Sequence, residues 1–175
     1  MSAPREHEHC GACGFDGAGY DDEALLDALR LLGATWQALL VDAGADLRSR
    51  PGPGVWSAIE YAAHTRDIVA LHAYGVDQAL FGDEPVYPAI DEGLVEAAAA
   101  TYAEANPEVV AQELDGHAQQ LARLAGDAGP AAWSRGLTVG EERSDVRRLL
   151  EHALHDALHH IDDVRRGLDI LRNSG

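Results

Sequence analysis

Residues 146–168 read VRRLLEHALHDALHHIDDVRRGL, and this stretch indicates the fold most clearly. Its apolar residues recur every three or four positions, the spacing that places side chains on one face of an α-helix. That face comprises Val146, Leu149, Leu150, Ala153, Leu154, Ala157, Leu158, Ile161, Val164 and Leu168. With Ser144 as its cap, the pattern predicts a long amphipathic last helix ending near Gly167 or Asn173.

Three further stretches have the same helical spacing: residues 21–44, 57–81 and 106–125. The second opens with Ser57 and Glu60, which form a Ser-x-x-Glu capping box. The third opens with Asn106 as cap and Pro107 at the first helical position. A shorter Ala-rich helix is predicted within residues 92–105. Four long helices without a strand pattern predict an all-α four-helix bundle.

The chain divides into an irregular N-terminal arm, residues 1–20, and a bundle domain, residues 21–173. The arm is polar, Gly-rich and aperiodic, so we expect it either to lie on the domain or to be disordered. Residues 133–139 are the one extended piece that the pattern favours, and they are too short to make a sheet alone.

The composition argues against nucleic acid and membrane as partners. The formal charge is −17, from 30 acidic and 13 basic residues, and every basic residue is arginine. Such a field repels phosphate backbones and anionic membranes. No run of about 18 apolar residues and no signal peptide is evident, so we expect a cytoplasmic protein. The absence of lysine suggests a GC-rich coding sequence, as in actinobacteria.

Histidines in two of the predicted helices suggest a metal site. His155 and His159 are four residues apart, so one helix face presents both, and His64 lies in the second helix. Helical periodicity also leaves two alternatives open. His155 and His159 fall beside the apolar stripe and could be solvated, while Asp156 and His160 form a competing ligand pair nearer that stripe.

Two motifs resemble the DinB-like superfamily: WSAIEYAAH at residues 56–64, and HDALHH at residues 155–160. This superfamily includes the N-terminal domain of mycothiol-dependent maleylpyruvate isomerase and the bacillithiol and mycothiol S-transferases. The resemblance covers Asp21 to Leu171 and implies a metal ion held by His64, His155 and His159. The isomerase relatives have a carboxylate at the position of His155, so an all-histidine set is more similar to the transferases.

The arm contains the only cysteines, Cys10 and Cys13, in a Cys-x-x-Cys motif preceded by His7 and His9. These four residues could form a second metal site, although a structural zinc usually gathers two pairs separated by a dozen residues or more. The alternatives are that the arm folds over the bundle and completes a site with distant residues, that the pair is a redox dithiol, or that it is inert. No βαβ pattern surrounds the motif, which disfavours a thioredoxin-like site.

Two residues are candidates for catalytic roles. Glu60 lies one turn before His64 and could orient an imidazole, although the capping box explains it equally well. Arg135, and with it Arg66, could bind a substrate carboxylate through paired donors, with surface ion pairing as the alternative.

The resemblance implies a metal-dependent thiol S-transferase or isomerase, with mycothiol as co-substrate and a small electrophile as substrate. Zinc is expected first, and nickel or iron second, because imidazole suits all three. The alternatives are a metal-dependent hydrolase at the same site, a non-catalytic metal-binding module of stress response, and structural histidines without metal. An open coordination position would favour catalysis, whereas a fourth protein ligand would favour a structural role. Relatives often dimerise, so a homodimer is expected.

Overall fold

The computed structural model describes residues 7–174 of the chain, and residues 1–6 of the predicted arm lie outside them. Its α-helices are α1 Asp22–Ala43, α2 Ala58–Phe81, α3 Glu92–Ala99, α4 Pro107–Ala128 and α5 Val146–Ser174. The four long helices pack together, with extensive contacts between α2 and α4, α1 and α4, and α2 and α5. The predicted all-α four-helix bundle is confirmed.

Local hydrogen bonds from capping residues fix where the helices begin. Ser57 and Glu60 form the predicted capping box at the start of α2. At α4, the Asn106 side chain accepts bonds from the backbone N–H groups of Glu108 and Val109. The predicted cap of α5 was one residue off, because the side chain of Asp145, rather than Ser144, accepts a bond of 2.8 Å from the Arg148 N–H.

A small sheet closes the end of the bundle at which α2 terminates. Its strands are β1 Val86–Tyr87, β2 Gly136–Val139 and β3 Glu142–Asp145. β2 pairs with β1 in parallel and with β3 in antiparallel orientation. The sequence predicted only the extended segment that contains β2, because its two partners are short and lack strand periodicity.

The apolar core runs along the inner faces of the four long helices. Leu25, Leu29 and Trp36 of α1 and Leu150 and Leu154 of α5 are fully buried there. One segment of the described chain, Asp22–Asp46, is also long and apolar enough to cross a membrane by length and composition, although the sequence analysis found none. Most of its large apolar side chains pack in this core, whereas Leu31 and Val41 are exposed.

Residues 7–20 of the arm lie on α5 rather than away from the domain. A backbone bridge pairs His9 with Asp16, and a single 3₁₀ turn, Gly17–Gly19, follows. Arg147 of α5 holds this segment by donating to the carbonyl groups of Gly17 and Tyr20. The arm therefore forms an ordered layer over the histidine-bearing face of α5.

Candidate metal centre

The histidines of α5 face two different neighbours because successive helical residues are rotated by about 100°. His155 and His159 face the arm, where they meet Cys10 and Cys13, and we call these four residues the arm cluster. His160 faces α2, where its ring lies 5.2 Å from that of His64, and we call these two residues the bundle pair.

The arm cluster brings four nitrogen and sulfur donors together. One ligand atom from each of Cys10, Cys13, His155 and His159 lies within 4.8 Å of the others. The Cys10 Sγ is 3.7 Å from the His159 Nδ1. Both cysteines are free thiols, and all four residues are half-buried. Zinc commonly binds such a set of two thiolates and two imidazoles.

A tight turn positions the two thiols. The N–H of Gly14 donates to the Cys10 carbonyl at 2.9 Å, and the Cys10 N–H donates to the Phe15 carbonyl at 2.9 Å. Gly14 has a φ of 76°, which glycine adopts without strain. The buried Phe15 ring then stacks on His155, with ring centroids 5.3 Å apart.

The two thiols differ in acidity. The backbone N–H groups of Cys13 and Ala12, and to a smaller extent His155 and His159, lower the pKa of Cys10 to about 6 against the effect of burial. Burial raises the pKa of Cys13. Cys10 is therefore the more nucleophilic and the more readily ligating thiol near neutral pH.

A buried carboxylate anchors the arm beside the cluster. Glu151 accepts bonds of 2.8 Å from the Glu8 backbone N–H and from the His7 Nδ1, and it pairs with Arg147. Burial raises the pKa of Glu151, but these bonds outweigh it and the net shift is downward. The ionised Glu151 thus fixes the start of the described arm.

The Glu8 side chain orients His155. Its Oε1 lies 3.1 Å from the His155 Nδ1. Because an ionised carboxylate only accepts hydrogen bonds, the proton lies on Nδ1 and the lone pair on Nε2. The His155 Nε2 is buried and has no hydrogen-bond partner among residues 7–174. Glu8, His152 and His155 also form a second group with ligand atoms within 4.8 Å.

The bundle pair lies among aromatic rings. The His64 ring is 5.2 Å from Trp56 and 6.1 Å from Tyr102, and the His160 ring is 5.1 Å from Tyr61. Burial and then the neighbouring His160 lower the pKa of His64, which favours its neutral form. The His160 Nδ1 lies 3.0 Å from the Asp163 Oδ2, so its Nε2 keeps the lone pair.

The structure divides the predicted trio of His64, His155 and His159 between these two places. His155 and His159 join the arm cluster, and His64 lies against His160 instead. The reason is the helical rotation between positions 159 and 160. The competing pair, Asp156 and His160, is the one on the side of α5 that faces α2, and Asp156 acts electrostatically on His64.

The predicted grouping of the cysteines with His7 and His9 also differs from the arrangement found. His7 is bound to Glu151, and the His9 side chain is exposed. The cysteines instead meet two histidines that follow them by more than 140 residues.

The other candidates have structural partners. Glu60 pairs with Arg50 as well as capping α2, and Arg50 lowers the pKa of Glu60 to about 2. Arg135 donates to the carbonyl groups of Ala79 and Gly82, at the opposite end of α2 from His64. Arg66 binds Asp67 and Glu113. The contacts observed for these three residues are ones that stabilise the fold.

Sequence reasoning missed two carboxylates that orient the histidines. Glu8 lies in the arm, which has no periodicity to indicate its partners. Asp163 bonds His160, and its Oδ2 also lies 3.7 Å from the His159 Nε2. The spacing of three and four residues from these histidines was the available signal for Asp163.

The family model described as the DinB superfamily matches residues 23–164. No curated protein matches the chain.

Two solved structures are similar. YfiT from Bacillus subtilis, described as a probable metal-dependent hydrolase with an unusual four-helix bundle topology, superposes with a TM-score of 0.73 at 15% identity, covering 85% of this chain and 87% of that one. A mycothiol-dependent maleylpyruvate isomerase superposes with a TM-score of 0.65 at 17% identity, covering 85% of this chain and 62% of that one. At these identities the likeness shows the fold.

Proposed function

The chain belongs to the DinB superfamily, as its sequence motifs predicted, and we propose that it binds a divalent metal ion between α2 and α5 for a reaction on a small electrophile. The apposition of His64 and His160 across these two helices is the observation that carries this proposal. Bundle proteins commonly build their metal sites from side chains on facing helices.

The residues present fit such an ion. His64 and His160 offer neutral imidazoles, and Asp163 holds the outer nitrogen of His160, as carboxylates do for metal-ligating histidines. Asp156 lies one turn before His160, and its charge acts on His64 in the direction that raises the pKa of that imidazole. Two imidazoles and one carboxylate are a donor set that zinc, nickel or ferrous iron accepts.

Aromatic side chains partly exclude water from the proposed metal site. Trp56, Tyr61 and Tyr102 surround the two imidazoles and reduce their contact with water. The Tyr102 hydroxyl donates to Asp67 at 2.8 Å, and burial, together with this bond, raises the pKa of Tyr102. Tyr102 therefore stays protonated and lines the site as a neutral side chain rather than acting as a base.

The finer proposal is that the second reactant is a thiol, with mycothiol first in an actinobacterial host and zinc as the ion. A divalent ion, when bound, lowers the pKa of a thiol or water molecule that contacts it. The likeness to a mycothiol-dependent isomerase supports thiol chemistry, and the likeness to a probable metal-dependent hydrolase supports water as the competing reactant. The proposed reaction needs a free thiol, which a reducing cytoplasm maintains. We also propose that the protein forms a homodimer.

Thiol consumption tests this function. Full-length protein without a polyhistidine tag is loaded with zinc and mixed with mycothiol and a chromogenic electrophile. We expect H64Q and H160Q to lose at least about 100-fold in rate. H117Q, which changes a histidine of α4 outside both clusters, should match the wild type, with circular dichroism confirming that each variant is folded.

Two results would overturn the thiol proposal. Metal-dependent hydrolysis without thiol consumption would make the protein a hydrolase. Metal binding without either reaction would make it a non-catalytic module.

A further inference from the structure

We propose that Cys10, Cys13, His155 and His159 form a second metal site, of the structural zinc type, that fastens the N-terminal arm to α5. Their ligand atoms are already within 4.8 Å of one another. The site shares no ligand with the proposed centre at His64 and His160, although Asp163 lies beside a histidine of each.

The distances suit a small tetrahedral ion. Zinc bonds of about 2.0–2.3 Å place neighbouring ligand atoms about 3.3–3.8 Å apart. The Cys10 Sγ and the His159 Nδ1 are 3.7 Å apart, within that range. The remaining pairs of ligand atoms lie within 4.8 Å of one another, so they need to approach by no more than about 1.5 Å, which side-chain rotations provide.

Both histidines present an inner nitrogen to the thiols and an outer nitrogen to a carboxylate. The Glu8 Oε1 lies 3.1 Å from the His155 Nδ1, and the Asp163 Oδ2 lies 3.7 Å from the His159 Nε2. Carboxylates in this position fix the ring and raise its basicity as a ligand. The buried His155 Nε2, without a hydrogen-bond partner among the described residues, is the atom that such an ion would satisfy.

The backbone conformation of the arm also favours a metal site. The Cys-x-x-Cys turn closes with Gly14 at a φ of 76°, and its hairpin returns the chain to pair His9 with Asp16. The buried Phe15 seats the turn on the His155 ring. Both thiols are thereby brought to one side of the turn, which faces α5.

Four protein ligands leave no coordination position for a substrate, so this site acts on structure. An ion that binds only the folded arm stabilises it through the free energy of binding. The inference is that zinc locks the arm over the face of α5 beside the bundle pair, and that this chain holds two ions of different roles.

Cobalt substitution tests the arm site without relying on activity. Full-length protein loaded with cobalt should show an intense sulfur-to-cobalt charge-transfer band and tetrahedral visible bands. We expect C13S and H159Q to lose or weaken these bands and to bind zinc at least about 100-fold more weakly. H9Q is the matched control in the arm, because His9 is exposed, and it should keep the spectrum of the wild type.

Hydrogen exchange supplies a second measurement on the same samples. Removing zinc with a chelator should increase amide exchange in residues 9–15, while residues 17–20, held by Arg147, change less. The variant C13S should exchange like the chelated wild type from the start.

The proposal is overturned if cobalt-loaded protein lacks the sulfur band, or if H9Q removes the band and H159Q does not. These outcomes are separate from those of the proposed function. H64Q and H160Q should leave the sulfur band intact whether or not the bundle pair supports catalysis.

Discussion

At the scale of single residues, Gly17 allows the arm to pack closely against α5 because glycine has no side chain. A Cβ at this position would overlap the Glu151 carboxylate. Glu151 is fully buried and held by Arg147, by His7 and by the Glu8 N–H, so it cannot move aside without losing those bonds. A close approach of backbone to a fixed carboxylate therefore requires glycine here.

We predict that G17A lowers the free energy of unfolding by about 1–3 kcal/mol, the usual range for overpacking a buried site. Urea denaturation followed by circular dichroism measures this. G11A is the matched control, because nothing lies within 4 Å of a Cβ at Gly11, and it should change stability by less than about 0.5 kcal/mol. Equal effects of the two substitutions would contradict the role of Glu151.

The arrangement of the histidines of α5 was only partly predictable from the sequence. Helical spacing identified a histidine-bearing face of α5 and, as an alternative, the pair of Asp156 and His160 near its apolar stripe. The family resemblance instead favoured His159, which lies about 100° away and faces the arm. Choosing between them required the position of α2, which periodicity in one helix cannot supply.

At the scale of elements, Glu60 stabilises the start of α2. It accepts bonds from the Ser57 backbone N–H at 2.9 Å and from the Ser57 hydroxyl at 2.8 Å, and it pairs with Arg50. Arg50 is the main cause of its low pKa of about 2, against an ordinary value of 4.5. Its charge therefore contributes to stability at neutral pH.

We predict that E60Q lowers the free energy of unfolding by about 1–2 kcal/mol at pH 7, since glutamine keeps the capping geometry but loses the charge. The pKa is depressed in the folded state, so the contribution of Glu60 is full above pH 4.5 and is lost as the pH falls toward 2. Denaturation of both proteins over this range should show their difference shrinking with acidification.

The control for this experiment is E108Q, which alters an exposed carboxylate in the first turn of α4. It should lose less than about 1 kcal/mol at pH 7. A difference between wild type and E60Q that stayed constant down to pH 2 would contradict the assigned ion pair.

Helix bounds were predictable because caps are local. The box at Ser57 and Glu60 and the cap at Asn106 each lie within four residues of the helix that they open. The small sheet was not predictable in the same way, since β1 and β2 pair across about 50 residues of chain. Short strands carry too few residues to display alternation.

At the scale of the whole molecule, the arm adds an ordered layer to the outside of the four-helix bundle. Cys10 meets His159 at a separation of 149 residues, and Glu8 meets His155 at a separation of 147. The Cys-x-x-Cys motif indicated metal chemistry, but its partners depend on where the folded arm lies. The sequence alone therefore left the ligand set of the cysteines open.

We propose that α5 serves two separate metal sites from its two histidine-bearing faces. An anomalous-scattering map, collected at the zinc edge from crystals of the full chain loaded with zinc, tests it most directly. We expect one peak between His64 and His160 and a second among Cys10, Cys13, His155 and His159. A single peak enclosed by His64, His155 and His159, with the cysteines away from it, would rule out two separate sites.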